Sequence, residues 1–221
     1  MLAISVIRPE LSRTHSTLLD MVPKPTMHDG NRVPSPRFYA EVLLTESQWF
    51  GTAYDLINAA SILKPHALAR FDELDRFIAE KQRSGTVPRD PMGVYFLLSA
   101  FALENLLKVI VLRRCRDDFR SEIEKTGKIP RALLGHDLVI LAERAGYSVS
   151  EVDEGLLRRL SRWSSWSGRY PVPIDRKDMG MMTRFRDGSD QMVCHYQRAD
   201  LDRIEDLVRR VLAFAENGKD G

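Results

Sequence analysis

The chain has 221 residues, room for one domain or two small ones, with 43% hydrophobic and 29% charged residues. That balance excludes a disordered tail, a collagen-like fibre and a disulfide-built mini-protein, and the length allows a core to form without staples. The net charge of +2 hides an uneven spread: residues 108–186 hold 17 Lys+Arg against 11 Asp+Glu, a balance of +6, and the remainder holds 16 against 20, a balance of −4.

Residues 1–34 carry Pro9, Pro23, Pro25, Gly30 and Pro34 on a weak apolar pattern and are expected to form a poorly ordered N-terminal arm. Residues 35–217 are expected to form a single helical domain. Ser35-Pro36 sets a capping residue before a proline at the first helical position. Tyr39, Val42, Leu43, Trp49, Phe50, Ala53, Leu56, Ile57 and Ala60 then recur at helical steps and predict one long helix. Pro65 is expected to interrupt it and start a second, lined by Leu68, Phe71, Leu74 and Ile78 and ended by Gly85 and Pro88.

Asp90-Pro91 repeats the cap-plus-proline signal. The segment after it, to about Arg114, is apolar on nearly every side, as a helix packed all round must be, and is expected to be the central helix of a bundle. Its polar patch is Glu104, Asn105 and Lys108, with Glu104 and Lys108 one turn apart in the favourable order. A shorter helix is predicted from about Asp137 to Ala145 with Gly146 as its stop, and another from Ser150, where Asp153 completes a near capping box. The last helix is predicted from about Asp200 to Asn217. Residues 165–198 lack helical periodicity, and within them Asp187-Gly188 is a hairpin signal between two short apolar runs. The fold class expected is all-α, an up-and-down bundle of five to six helices with a long irregular segment before the last.

The longest uncharged stretch, residues 91–103, has 13 residues. A bilayer crossing needs roughly 18–20, so no membrane span is expected. No signal-peptide pattern is read at the N-terminus, and the chain is expected in the cytoplasm. His15, His28, His66, His136 and His195 form no HExxH pattern, and Cys115 and Cys194 form no CxxC, so no metal site or cofactor is expected. Walker, GxGxxG and GxSxG signatures are missing from the sequence.

Four groups of residues carry possible chemistry. Arg131 and His136 stand five positions apart before a helix, where a histidine can move a proton near neutral pH and an arginine can hold a phosphate. Against this stands the plainer reading that His136 and Asp137 cap the helix. Glu104, a carboxylate on the central helix, needs a partner because an unpaired buried charge is costly; Lys108, His136 and Arg169 are the candidates, and the plainer reading, preferred to catalysis, is a structural ion pair that fixes helix register. In the run 163–171, Trp166, Arg169 and Tyr170 join aromatic faces to an arginine, the combination that stacks bases and pairs phosphates, whereas Trp163 continues a core stripe. Arg158 and Arg162 lie one turn apart on a basic face that meets a partner's phosphates or simply faces water.

The order of three short motifs resembles the HEPN (higher eukaryote and prokaryote nucleotide-binding) family over roughly residues 38–215: residues 101–108 around Glu104, Gly135-His136-Asp137-Leu138, and Gly168-Arg169-Tyr170-Pro171. The resemblance implies an all-α homodimer, in many members a metal-independent ribonuclease of toxin–antitoxin or defence systems. In others it implies an inactive RNA- or nucleotide-binding module that partners an antitoxin or a small nucleotidyltransferase. The family's catalytic signature is an Arg, four to six residues, then a His, which falls here on Arg131 and His136. In many active members a polar residue follows the Arg and the pair lies on a late helix; here Ala132 follows, and the pair precedes a middle helix. Glu104, His136 and Arg169 offer an alternative catalytic set, with Lys108, Arg158, Arg162, Trp166 and Tyr170 as the expected RNA or nucleotide contacts.

Overall fold

A computed structural model describes residues 33–79, 91–167, 182–184, 190–192 and 196–218, with backbone only at 77–79, 91, 166–167 and both strand segments. Helices dominate the described residues: α1 (Pro36–Leu43), α2 (Glu46–Ala79), α3 (Pro91–Arg114), α4 (Arg116–Thr126), the one-turn α5 (Arg131–Leu134), α6 (Leu138–Ala145), α7 (Glu151–Arg162) and α8 (Arg198–Asn217). A π-helical turn, Trp163–Ser167, prolongs α7. Two three-residue strands, β1 (Met182–Arg184) and β2 (Asp190–Met192), pair antiparallel with Thr183 opposite Gln191. The described residues from Pro36 onward belong to one compact unit. Of the expected N-terminal arm only Val33 and Pro34 are described, both exposed.

Helix α3 occupies the centre because it has no polar face to give to water. It packs on α2, α4, α6, α7, α8 and the π-helical turn, and Phe96, Ala100, Leu103, Leu106, Leu107 and Leu112 are wholly buried. Each fully buried leucine contributes roughly 1.5–3 kcal/mol. By length and composition alone, Met92–Arg114 is long and apolar enough to cross a membrane, at a mean hydropathy of 1.8, and 72% of its most apolar 18-residue window is buried among the other helices. An 18-residue window passes because Glu104 and Lys108 are its only charges, with Arg113 and Arg114 following at the helix end.

Helix α2 lays Ala53, Ala60 and Ala67 against α3 at intervals of seven, small side chains that let two long helices approach closely, and adds Phe71 one turn later. The expected break at Pro65 does not occur. Proline leaves the Ser61 carbonyl without its helical donor, but both residues are exposed, so water takes that bond while the alanine stripe continues on the buried side. The chain breaks earlier instead, after Leu43. The Thr45 hydroxyl donates to the Glu41 carbonyl at 2.6 Å and the Trp49 indole to the Leu43 carbonyl at 2.8 Å, ending α1. The expected ends at Gly85 and Pro88, and Asp90, lie outside the described residues.

Helix α4 was not foreseen. It carries only two apolar residues for the core, Phe119 and Ile123, four apart, and both are buried on the side that meets α1. The sequence signals were an acidic first turn, Asp117 and Asp118, and Gly127 as the stop, which takes a left-handed conformation at φ 65°. The short α6 and α7 follow their caps. Asp137 accepts the backbone N–H groups of Val139 and Ile140, Gly146 closes α6 at φ 65°, and Ser150 accepts the N–H of Asp153.

Trp163 is half-buried and sits 5.9 Å, ring centre to ring centre, from both Phe96 and Tyr196. Glycine suits this end of α3: a Cβ on Gly93 would meet the Trp163 ring at 2.9 Å, so the ring would have to shift. The carboxylate of Asp200, at the start of α8, accepts the Gln197 N–H at 2.9 Å and Arg159 at 3.1 Å. Arg159 therefore turns inward, its guanidinium 5.7 Å from the Tyr196 ring centre, and leaves the basic face to its neighbours on α7.

Candidate functional site

Glu104 and Lys108 sit one turn apart on the central helix and are 6% and 5% exposed. Two charges so deep must satisfy each other, and the Lys108 ammonium donates to Glu104 Oε1 at 2.6 Å. The second carboxylate oxygen, Oε2, lies 3.0 Å from His136 Nδ1. A carboxylate oxygen has no proton to give, so Nδ1–H is the donor; in the neutral imidazole Nε2 then keeps its lone pair for another partner. The His136 side chain is 42% exposed, so the triad runs from the buried core to the surface.

The segment that carries His136 is held by local chemistry. Pro130 precedes the one-turn α5, Gly135 is extended at φ −72° and ψ 150°, and Asp137 caps α6. Two serines beyond α6 fix its backbone. Ser161 Oγ accepts the N–H of Leu138 at 2.9 Å while donating to the Leu157 carbonyl at 2.8 Å. Ser164, wholly buried, donates to the Ser161 carbonyl at 3.0 Å and makes a longer contact of 3.5 Å to the His136 carbonyl. Neither serine was singled out from the sequence; their spacing of three, across the end of α7 and the π-helical turn, was the available signal. Asp137 is the cap of α6, and His136 is free of that duty.

His136 opens on a cleft of about 390 Å3, lined also by Leu134, Gly135, Asp137, Arg158, Ser161, Arg162 and Ser165. Arg158 and Arg162 thus come to the same cleft. Arg158 keeps a salt bridge to Glu154 on its own helix, with Nε 2.9 Å from the carboxylate, and remains 61% exposed. An exposed bridge of this kind is worth under about 1 kcal/mol, so an incoming phosphate can replace it.

Arg131 does not share that cleft. It lies at the start of α5, in a neighbouring cleft of about 510 Å3 with Ala132, Leu134, Gly135, Asp137, Ile140, Leu141 and Arg144. Of the remaining expected site residues, Arg169 of the catalytic set and Tyr170 of the contacts lie outside the described residues, and only the backbone of Trp166 is described, in the π-helical turn. Cys194 and His195, and the turn at Asp187-Gly188, also lie outside them. No three His, Cys, Asp or Glu side chains gather as a metal site among the described residues.

This arrangement can do two things. Its arginines can bind an anion at the surface, and its oriented histidine can accept a proton from a bound hydroxyl. Compared with protein-family models, with curated proteins and with solved structures, the chain matches none.

Proposed function

We propose that this chain is a HEPN-like, up-and-down helical protein that binds RNA or a nucleotide at the His136 cleft, as a homodimer and in a toxin–antitoxin or defence setting. One observation carries the reading: an exposed His136, oriented by a buried Glu104–Lys108 pair, stands in one cleft with Arg158 and Arg162. The two guanidinium groups supply the positive charge that phosphates need, and the cleft lies in the basic middle of the chain. The test is binding of single-stranded RNA to the full chain and to Arg158→Gln/Arg162→Gln. Loss of most of the affinity in a folded variant supports the reading; equal affinity removes this cleft from it.

A second reading, metal-independent ribonuclease activity, is favoured by the Glu104–His136 contact at 3.0 Å. His136 Nε2 would take the proton of a ribose 2′-hydroxyl. The 2′-oxygen would then attack the adjacent phosphorus, and the 5′-oxygen would leave with the proton that His136 had taken, passed on through water, giving a 2′,3′-cyclic phosphate and a 5′-hydroxyl end. The arginines would stabilise the charge on the phosphorane. Cleavage in EDTA with cyclic phosphate ends, lost in His136→Ala, supports this reading. Binding without cleavage leaves the protein a binding module, and neither binding nor cleavage favours a third reading, a non-catalytic dimerisation or antitoxin-like adaptor.

A further inference from the structure

We infer that the ligand is a single-stranded polynucleotide laid across both clefts, with Arg131 and Arg144 as binding residues for phosphates flanking the one at His136. The inference rests on the proposed RNA binding and specifies its substrate class.

The two clefts adjoin. Leu134, Gly135 and Asp137 line both, so the segment bearing His136 is the ridge between them. The second cleft has charge to spare. Arg131 makes no hydrogen bond or ion pair with any described residue, and Arg144 Nη1 donates at 3.0 Å to the Ala132 carbonyl, a neutral group. The one carboxylate in that cleft, Asp137, spends Oδ1 on the N–H groups of Val139 and Ile140. The same cleft exposes apolar surface, with Leu134 56% and Ile140 44% exposed. Arginines beside exposed apolar side chains match the alternation of phosphates and base faces along an unpaired strand; in a duplex the faces are stacked away. At about 510 Å3 the cleft has room for a nucleotide, where a lone phosphate displaces only a few waters of roughly 30 Å3 each.

The position of Arg131 also changes its expected role. It lines the neighbouring cleft and not the one into which His136 opens, so it holds the strand and does not serve the reacting phosphate.

The experiment measures affinity of hexauridylate for the full chain and for Arg131→Gln/Arg144→Gln by fluorescence anisotropy across salt concentrations. Single-strand binding falls with log salt at a slope of about −0.7 per phosphate contact, so losing two contacts should flatten the slope by about 1.4. Between 50 and 200 mM salt, the ratio of wild-type to variant affinity should then shrink about sevenfold. In the wild type, the slope should be steeper for the hexanucleotide than for a uridine dinucleotide, which has one phosphate. Arg131→Gln alone, at a side chain without a structural bond, should flatten the slope by about 0.7, which separates lost binding from lost folding. An unchanged slope in the variants overturns the inference, as does a blunt RNA duplex or polyglutamate bound as tightly as the single strand. No RNA binding by the wild type overturns the proposed function itself, a different result from binding that ignores Arg131 and Arg144.

Discussion

Lys108→Met should destabilise this protein more than any surface substitution. The lysine is 5% exposed and its ammonium lies 2.6 Å from Glu104 Oε1. Methionine fills much the same volume, so packing is nearly kept and the loss is electrostatic. It leaves a carboxylate that is 6% exposed with His136 as its remaining partner. Breaking a buried pair by removing one member costs about 3–5 kcal/mol. At about 2–4 °C per kcal/mol for a domain of this size, the melting temperature should drop by roughly 6–20 °C. Glu104→Met/Lys108→Met removes both charges, and replacement of a buried pair by apolar residues is often neutral or stabilising, so it should stay within about 1 kcal/mol of wild type. His136, half exposed, then bonds to water. Circular-dichroism melts and urea unfolding of the two variants read the comparison. A loss under about 1 kcal/mol in Lys108→Met, or a double variant worse than the single one, would refute the argument that Lys108 compensates a buried charge.

The other expectations concern caps, packing and acid. Arg210 bonds both oxygens of Asp153 at 2.9 Å and, opposed by burial, holds that carboxyl below its ordinary range, so its contribution is present above pH 3.9 and lost as pH falls through the lowered folded value. Asp153→Asn should therefore be less stable than wild type at pH 7, with the gap in unfolding midpoint closing in the acid range below about pH 4; a gap constant down to pH 2 contradicts this. Gly146→Ala puts a Cβ at φ 65° against the Arg114 guanidinium and should cost about 1–2 kcal/mol in urea unfolding, whereas no loss means the turn relaxes freely. Gly93→Ala meets the Trp163 ring and should cost about 1–3 kcal/mol with a change in tryptophan fluorescence; an unchanged spectrum and midpoint argue that the ring has room to shift.

What could be read from sequence was what local chemistry controls. The caps at Asp137 and Ser150, and the stop at Gly146, lie next to the groups they satisfy, so α6 and the start of α7 were legible to within a residue or so. The all-round apolar pattern of α3 pointed to its central place, and the cost of burying Glu104 demanded a partner. Two of the three candidate partners, Lys108 and His136, meet it in the fold. Where tertiary context decides, the reading failed. Pro65 does not end a helix whose carbonyl it orphans in water, and α4 follows a pattern of only Phe119 and Ile123. Arg131 and His136 look like one pair in sequence, yet the single turn of α5 and the extended Gly135 assign them to clefts on either side of a ridge. The serine clamp from Ser161 and Ser164 grips His136 and Leu138 at the start of α6 and could not be seen before the helices were packed.

The salt dependence of single-stranded RNA binding by the intact chain tests the central claim, that arginine-lined clefts around His136 take up phosphates. With two phosphates held at Arg158 and Arg162 the slope of log affinity against log salt should be about −1.4, and with Arg131 and Arg144 engaged as well about −2.8. A measured slope in that interval is the predicted result; no binding, or a slope near zero, contradicts the account.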